Sequence, residues 1–331
     1  RLRAATDLDA LARAATQMND MIRRQYRGGT RVELLARLVQ DLNGRLFEQA
    51  WQLIAPPELV QNSCLLVMGS EGRGEQLLKT DQDNALLLRD GYVPPDDLPA
   101  ICARFSEALA RFGYPPCPGH VMLSNAIWRG TVQDFARRVR KWLVLPEADS
   151  LINLAVFMDA HAVCGDAELL ASLRRQVFGM LADDDAMMSR FAAVVDAFGD
   201  GTRWWRRMLG GGEANLNVKK AGMFPLVHGV RSMALAERID ATSTEARIRA
   251  LHEVGALDAE TAQELTESLH FFMGLRLKAG LDEMDRGQPV SGKVDLAGLT
   301  PLERDLLKDA LAAVRRFRAQ LRLRFRLGAV S

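Results

Sequence analysis

The chain has 331 residues, which is enough for two or three domains that each bury a core. Its composition is that of an ordinary globular protein, with 48% hydrophobic and 26% charged residues and a net charge of +1. This balance supplies no global field that would draw the chain to nucleic acid or to an anionic membrane, and no apolar stretch approaches the length of a membrane span.

The four cysteines, Cys64, Cys102, Cys117 and Cys164, stand apart, without the short paired spacing of a zinc site or a disulfide framework. They predict buried thiols in a reducing compartment. No charged-then-apolar signal segment opens the sequence, so we expect a cytoplasmic protein. The start at Arg1 rather than Met fits a processed or truncated piece of something longer.

Residues 1–55 are predicted to form an N-terminal helical segment. Hydrophobic residues recur at helical spacing on both sides of Gly28-Gly29, and Thr30 is the predicted N-cap of the second helix. Two interpretations stay open, since the helices could lead in from an upstream regulatory domain or form a simple hairpin packed on the core. Prolines at positions 56 and 57 end the segment.

The strongest pattern lies in residues 56–147. A short apolar run at 65–68 ends at Gly69 and Ser70, and a second run at 85–88 follows directly after Asp81-Gln82-Asp83. The two runs predict strands joined by a polar, ligand-binding loop. Because side chains alternate along a strand, Asp81 and Asp83 are expected to face the same way.

These residue types point to metal and phosphate chemistry. Two adjacent carboxylates repel each other unless a cation lies between them, so the aspartate pair predicts a site for Mg²⁺ or Mn²⁺. Glycines such as Gly69 let the backbone approach anionic oxygens, Ser70 adds a hydroxyl, and Arg73 offers a forked donor suited to phosphate. Together they predict a cradle for a metal-bound nucleoside triphosphate.

The string GSEGRGEQLLKTDQDNAL, which begins at Gly69, resembles the signature of the DNA polymerase β-like nucleotidyltransferase superfamily. It is more specifically similar to a bacterial nucleotidyltransferase group that is often fused to CBS and cyclic-nucleotide-binding domains. That group in turn resembles the uridylyltransferases that modify the nitrogen-regulatory PII protein. The strings CPGHVMLSNAIWRG, FMDAHAVCGD and PLVHGVRSMALAERIDATSTEARIRAL extend the resemblance from about Cys64 to the C-terminus.

The resemblance implies a Mg²⁺-dependent transfer of a nucleoside monophosphate from a nucleoside triphosphate to a protein or small-molecule acceptor, in signalling. Asp81 and Asp83 would be the catalytic residues and the metal ligands. The nucleotide- and phosphate-binding residues would be Gly69, Ser70, Arg73, Glu75 and Lys219. For Lys219 a solvated helix face is the open alternative, because paired lysines usually lie on one.

The superfamily usually places a third carboxylate on a later strand as general base, but the matching segment here, residues 120–125, holds none. Glu75, a water or the acceptor itself is left for that role. The missing carboxylate keeps an alternative open, in which the protein is a catalytically silent nucleotide-sensing module for attached regulatory domains. A helical scaffold with a vestigial pocket is a further alternative.

The remaining elements follow in chain order. Helices are predicted at 98–112 and 131–145, with a strand at 121–123 between them and residues 128–129 in a loop. Beyond residue 146 the pattern turns helical, with segments at 151–163, 167–181 and 187–209, a break at 210–212, and later helix starts at Thr242-x-x-Glu245 and Thr300-Pro301-x-Glu303. Residues 148–331 therefore predict a helical bundle, which the resemblance implies is a substrate-binding domain.

The predicted fold class is α+β, with a small mixed-sheet nucleotidyltransferase core flanked by helices and followed by the helical bundle. Three weaker patterns favour a structural rather than a functional interpretation. Asp159, His161 and Asp166 are interpreted as surface charges at a helix end rather than as a metal site. Residues 287–293 have P-loop spacing but lack the following Ser or Thr, and the arginine-rich tail is interpreted as the charged face of a packed helix.

Overall fold

This computed structural model describes residues 5–144, 148–180, 185–197 and 215–327. The chain divides into two compact units, Arg1–Leu145 with Val156–Met180 and Pro146–Ala155 with Leu181–Ser331. The first unit contains a small mixed sheet with helices around it, and the second is mainly helical. The predicted α+β class is thereby confirmed. None of the helices in the described ranges has the length and apolar content needed to cross a bilayer.

Two long helices open the first unit, α1 (Leu8–Arg27) and α2 (Val32–Ile54), as predicted. The predicted cap of α2 is wrong by one residue, because the N-cap is Arg31. The hydroxyl of Thr30 turns back toward α1 instead and donates to Gln25 Oε1 at 2.9 Å.

Four strands form the sheet, namely β1 (Ser63–Val67), β2 (Asn84–Leu88), β3 (Arg129–Thr131) and β4 (His161–Gly165). Their order is β3-β2-β1-β4, with β1 antiparallel to both β2 and β4 and with β2 parallel to β3. Every residue of β1 and β2 is buried, as the continuous apolar runs predicted.

Three predictions in this unit were wrong, one of a strand, one of a loop and one of the end of a helix. Residues 121–123 are not a strand, because Asn84 bonds them partly through its side chain. The backbone N–H of Asn84 donates to Val121 O at 3.0 Å, while its side-chain Oδ1 accepts from Leu123 N at 2.9 Å. The third strand, β3, comes from residues that were predicted to be a loop. The helix predicted at 151–163 ends at Phe157, and the following β-branched and apolar residues pair with β1 as β4.

The other helices of the first unit are α3 (Pro57–Gln61), the single turn α4 (Gly69–Gly72), α5 (Leu98–Arg111), α6 (Val132–Val144) and α8 (Ala167–Met180). Helices α1, α2 and α5 share one hydrophobic core with the residues on one face of β1 and β2. Helices α6 and α8 contact each other and also contact β1 or β2. Asp81 and Asp83, which precede β2, therefore lie at the end of a sheet that is covered by helices.

The second unit is built from α9 (Asp185–Ala197), α10 (Phe224–Ala236), α11 (Thr244–Glu253), α12 (Ala259–Asp285) and α13 (Pro301–Arg324). Helix α7 (Ala148–Phe157) spans the division between the units. A two-stranded ribbon joins β5 (Asn215–Leu216) to β6 (Val294–Asp295), and a π-helical turn (Lys219–Met223) leads into α10. All eleven residues from Pro225 to Leu235 are buried, so α10 is the centre of this unit.

Local signals in the second unit had mixed outcomes. The capping box of Thr300 and Glu303 is confirmed. The box predicted at Thr242 is wrong by one residue, because the hydroxyl of Ser243 accepts from Ala246 N. The predicted break at residues 210–212 lies outside the described residues.

The arginine-rich tail is the charged face of a packed helix, as predicted. Arg318 and Arg322 both bind Asp196, at 2.9 and 3.0 Å, while Phe317 and Leu321 on the same helix are buried.

Candidate metal centre

The two predicted aspartates come together directly before β2. Carboxylate oxygens of Asp81 and Asp83 and the Sγ atom of Cys117 all lie within 4.8 Å of one another. Both aspartates are half-buried, so their carboxylates remain reachable from solvent, whereas Cys117 is buried. The predicted pair therefore faces one small volume.

Gln82 and Asn84, which alternate with the two aspartates along the chain, fix the orientation of the aspartate pair. Gln82 donates its backbone N–H to Pro115 O at 3.0 Å, and its Nε2 donates to Ser106 O and Tyr114 O at 3.1 Å each. Asn84 Nδ2 donates to Gln82 Oε1 at 3.2 Å. Because side chains alternate, anchoring Gln82 and Asn84 inside directs the aspartates the other way. The same bonds hold the segment that carries Cys117 beside them.

Gly69 abuts the second carboxylate. Its φ angle is +57°, and a Cβ built there would lie 2.5 Å from Asp83 Oδ2. Met68 N donates to Asp83 O at 2.9 Å, which fixes the two chains at this point. Only glycine allows both the backbone angle and the approach, so the turn and the metal pair are parts of one site.

The polar loop after Gly69 begins as the helical turn α4 rather than as an open loop. The N–H groups of residues 72 to 75 donate to carbonyls within the turn or just before it. Ser70 is half-buried, and its hydroxyl donates to Gln76 Oε1 at 3.2 Å. Gly69 and Ser70 thus stand where the turn meets the carboxylate pair.

Arg73 is engaged in a buried ion-pair network. Its Nε donates to Glu75 Oε2 and its Nη1 donates to Asp159 Oδ2, both at 2.6 Å. The three side chains are 11%, 5% and 0% exposed. Burial alone would lower the pKa of Arg73, but the two carboxylates outweigh it and hold the pKa above its usual range. The guanidinium and Glu75 therefore fasten the turn α4 to the chain that follows α7.

This network corrects the interpretation of Asp159 as a surface charge. Asp159 is fully buried, and nothing local in FMDAHAVCGD signals a contact with a residue 86 positions earlier. Asp166 does lie at the surface, where it pairs with Arg89 at 2.8 Å.

Lys79, the other cation of this loop, is also held by the protein. Its Nζ donates to Ala15 O at 2.7 Å and to Phe112 O at 2.6 Å, which links α1 to the end of α5. Burial lowers the pKa of Lys79 to about 8. Because its ammonium group is bonded to these carbonyls, Lys79 is not available to bind a triphosphate.

Glu71 is the buried carboxylate of the turn. Asn43 Nδ2 donates to its Oε2 at 2.9 Å, and the Tyr114 hydroxyl donates to Asn43 Oδ1 at 2.6 Å. Burial raises the pKa of Glu71 to about 8, although the bond from Asn43 opposes the rise. This chain of hydrogen bonds ties the turn to α2.

Cys117 is the site residue that the sequence analysis missed. Burial, with the charge of Asp83 next in size, raises the pKa of its thiol to about 11, so the sulfur keeps its proton at neutral pH and hydrogen-bonds to Asp83. The backbone amides of Val121 and Gly119 donate to the same sulfur. The third ligand is expected on residues 120–125 from the resemblance, whereas Cys117 lies three residues before that segment, between two prolines.

The donor set fits a divalent cation. Two half-buried carboxylates beside a glycine turn supply hard oxygen ligands of the kind that Mg²⁺ and Mn²⁺ prefer. Among the described residues of this ligand group, the third position is a thiol rather than a carboxylate. Lys219 belongs to the second unit, where it is exposed at the first residue of the π-helical turn.

Comparison with known families gives two matches. Residues 16–149 match the family model described as "Putative nucleotidyltransferase DUF294". Residues 185–325 match the model described as "Putative nucleotidyltransferase substrate binding domain". No curated protein matches the chain. The first match includes every residue of the aspartate, glycine and cysteine group.

Proposed function

The chain belongs to the nucleotidyltransferase family that these two models describe, and we propose that it transfers a nucleoside monophosphate from a nucleoside triphosphate to an acceptor hydroxyl. The observation that carries the proposal is the convergence of Asp81 and Asp83 beside Gly69. A carboxylate pair next to a close-approach glycine can hold a cation and a phosphate chain side by side.

Asp81 and Asp83 would hold Mg²⁺ or Mn²⁺. When bound, the cation neutralises charge on the triphosphate and polarises the phosphorus that is attacked. The chain's own contribution is orientation, because Gln82 and Asn84 hold the aspartates in place and Gly69 leaves room for the Asp83 carboxylate. Gly69 and Ser70, at the start of the same turn, are the proposed contacts to phosphate oxygens. The acceptor oxygen forms a bond to the α-phosphorus as the bond to pyrophosphate breaks, and the acceptor's proton passes to solvent.

Arg73 and Glu75 take a different role in this account from direct phosphate binding. Their buried contacts with each other and with Asp159 support a positioning role, in which they keep the turn α4 in place. Glu75 is 5% exposed and paired with Arg73, which argues against its use as the general base.

The acceptor is proposed to be a protein side chain or a small molecule that binds through the second unit, since that unit matches a substrate-binding model. Lys219, which is exposed, is the proposed phosphate contact from that unit. A signalling role, an attachment to CBS or cyclic-nucleotide-binding domains and a cytoplasmic location complete the proposal. The location draws support from four cysteines that are all buried free thiols.

A second candidate function is a nucleotide sensor without turnover. The thiol of Cys117 at the third ligand position favours the sensor, because a protonated thiol is a poorer general base than the carboxylate that usually holds that position. In this version the same residues bind the metal and the nucleotide, and the bound state is reported to attached domains.

The test uses nucleoside triphosphates labelled at the α-phosphate, incubated with the protein, Mg²⁺ or Mn²⁺ and a cell lysate. We expect label transfer and pyrophosphate release with wild type and neither with the double variant Asp81→Asn, Asp83→Asn. Nucleotide binding without release would support the sensor. Turnover that persists in the double variant would refute the assigned roles.

A further inference from the structure

The ligand group at the head of β2 combines two hard ligands with one soft ligand. Carboxylates of Asp81 and Asp83 suit Mg²⁺ and Mn²⁺, whereas sulfur is a weak partner for those ions and a strong one for Zn²⁺ and Cd²⁺. The sulfur of Cys117 lies within 4.8 Å of both carboxylate oxygens. The same three side chains therefore offer two coordination sets, one of oxygen alone and one of oxygen with sulfur.

The surroundings of Cys117 suit a coordinating sulfur. Asn84 N donates to Val121 O at 3.0 Å and His120 N donates to Cys117 O at 2.9 Å, so backbone hydrogen bonds fix the turn that carries the sulfur. The isolated parallel bridge between Gln82 and Pro116 fixes the residue before Cys117 to the residue between the two aspartates. The sulfur is thus held next to the pair by backbone contacts on both sides.

We propose that Asp81, Asp83 and Cys117 form a mixed oxygen and sulfur site that binds thiophilic divalent ions such as Zn²⁺ and Cd²⁺ through all three side chains. A hard ion uses the two carboxylates alone and leaves the sulfur uncoordinated. When a thiophilic ion binds, the sulfur–metal bond forms and the thiol proton passes to the buffer. This inference rests on the proposed function, because both use the same carboxylates, and it makes thiophilic ions competitors of the hard ion.

The experiment titrates the full chain with Cd²⁺ and follows the ultraviolet thiolate-to-cadmium charge-transfer band, with calorimetry for affinity. Wild type should show the band. Cys117→Ser should lose the band. It should also bind Cd²⁺ at least about 10- to 100-fold more weakly, because that is the loss of affinity when even an outer-shell partner of a metal ligand is removed. Its Mn²⁺ affinity should stay near that of wild type, because a hard ion binds through the two carboxylates and does not use the sulfur. Cys102→Ala, which removes another buried thiol of the same unit, should keep the band.

A second variant guards against loss of folding. Cys117→Asp replaces the sulfur by a third carboxylate, so it should lose the band while binding Mn²⁺ more tightly than wild type. Absence of the band in wild type, its retention in Cys117→Ser, or an unchanged ratio of Cd²⁺ to Mn²⁺ affinity in Cys117→Asp would each overturn the inference. A band without nucleotidyl transfer would leave this inference standing and count against transfer, and transfer without the band would do the reverse.

Discussion

The Cα atom of Gly69 approaches the carboxylate of Asp83 so closely that a Cβ would lie 2.5 Å from Oδ2. Real Cβ atoms do not come that near an oxygen, and φ at Gly69 is +57°, an angle that L-residues rarely adopt. The glycine of the turn and the acid of the strand therefore constrain each other, and the turn cannot carry a side chain while the acid keeps its place.

The first prediction concerns Gly69→Ala. The methyl group should push the Asp83 carboxylate away from Asp81 and lower Mn²⁺ affinity on the order of 10- to 100-fold, as displaced supporting groups do at metal sites. Calorimetry gives the affinity. The matched control is Gly91→Ala, which has φ of +81° but no atom within 4 Å of the added Cβ, so it tests backbone strain alone. Equal Mn²⁺ affinity in both variants would contradict the proposed contact.

The second prediction concerns stability at Gly72. A Cβ there would lie 2.1 Å from Asp159 O and 2.8 Å from Val67 O, both backbone atoms that cannot rotate away. Gly72→Ala should therefore lower the free energy of unfolding by about 3 kcal/mol or more. Gly44→Ala, in the interior of α2 with nothing within 4 Å, should instead raise it by about 1 kcal/mol. Urea unfolding compares the two variants, and similar midpoints would show that the turn yields.

The third prediction separates positioning from phosphate binding at Arg73. Removing one partner of a buried ion pair costs about 3–5 kcal/mol, so Arg73→Ala should destabilise the ligand-free protein by that order. Arg89→Ala breaks an exposed pair and should cost less than about 1 kcal/mol. An arginine that served only to bind phosphate would show the opposite pattern of effects when it was removed. Its loss would weaken nucleotide binding and leave ligand-free stability unchanged, and that result would restore Arg73 as a ligand contact.

The fourth prediction concerns pH and Glu71. Burial raises the folded-state pKa of Glu71 to about 8 from its ordinary value of 4.5, so the folded protein holds a proton there that the unfolded chain releases as the pH rises between these values. Stability should therefore fall as the pH increases through this window, by an amount on the order of a few kcal/mol. Glu71→Gln keeps an acceptor for Asn43 without the charge, so its stability should be flatter over the same window. Denaturant titrations at several pH values measure the slope, and parallel slopes would contradict the assignment.

Elements with a local sequence signal were predicted correctly. The runs 65–68 and 85–88 gave β1 and β2, because a buried central strand is a continuous apolar run, and the Asp-x-Asp alternation placed both acids on one side. Predictions were wrong where a contact with a distant residue decides the local structure. Segment 121–123 is apolar enough for a strand, yet the side chain of Asn84 takes one of its backbone bonds.

The site shows the same division. Arg73 has the forked geometry that phosphate prefers, but its partners include Asp159, which lies 86 residues further along the chain. Cys117 carries no ligand spacing with either aspartate, and long-range contacts such as the bridge between Gln82 and Pro116 bring it to them. Long-range pairing of this kind leaves no periodicity in a single sequence, so neither role could be predicted from it.

The most direct test of the central claim is a Mn²⁺ titration of the protein, with the free ion followed by electron paramagnetic resonance. Wild type should bind Mn²⁺ at a saturable site and gain thermal stability from it. The double variant Asp81→Asn, Asp83→Asn should lose that binding, while its metal-free form should be at least as stable as wild type because the like charges are gone. A double variant that binds Mn²⁺ as wild type does would contradict the account.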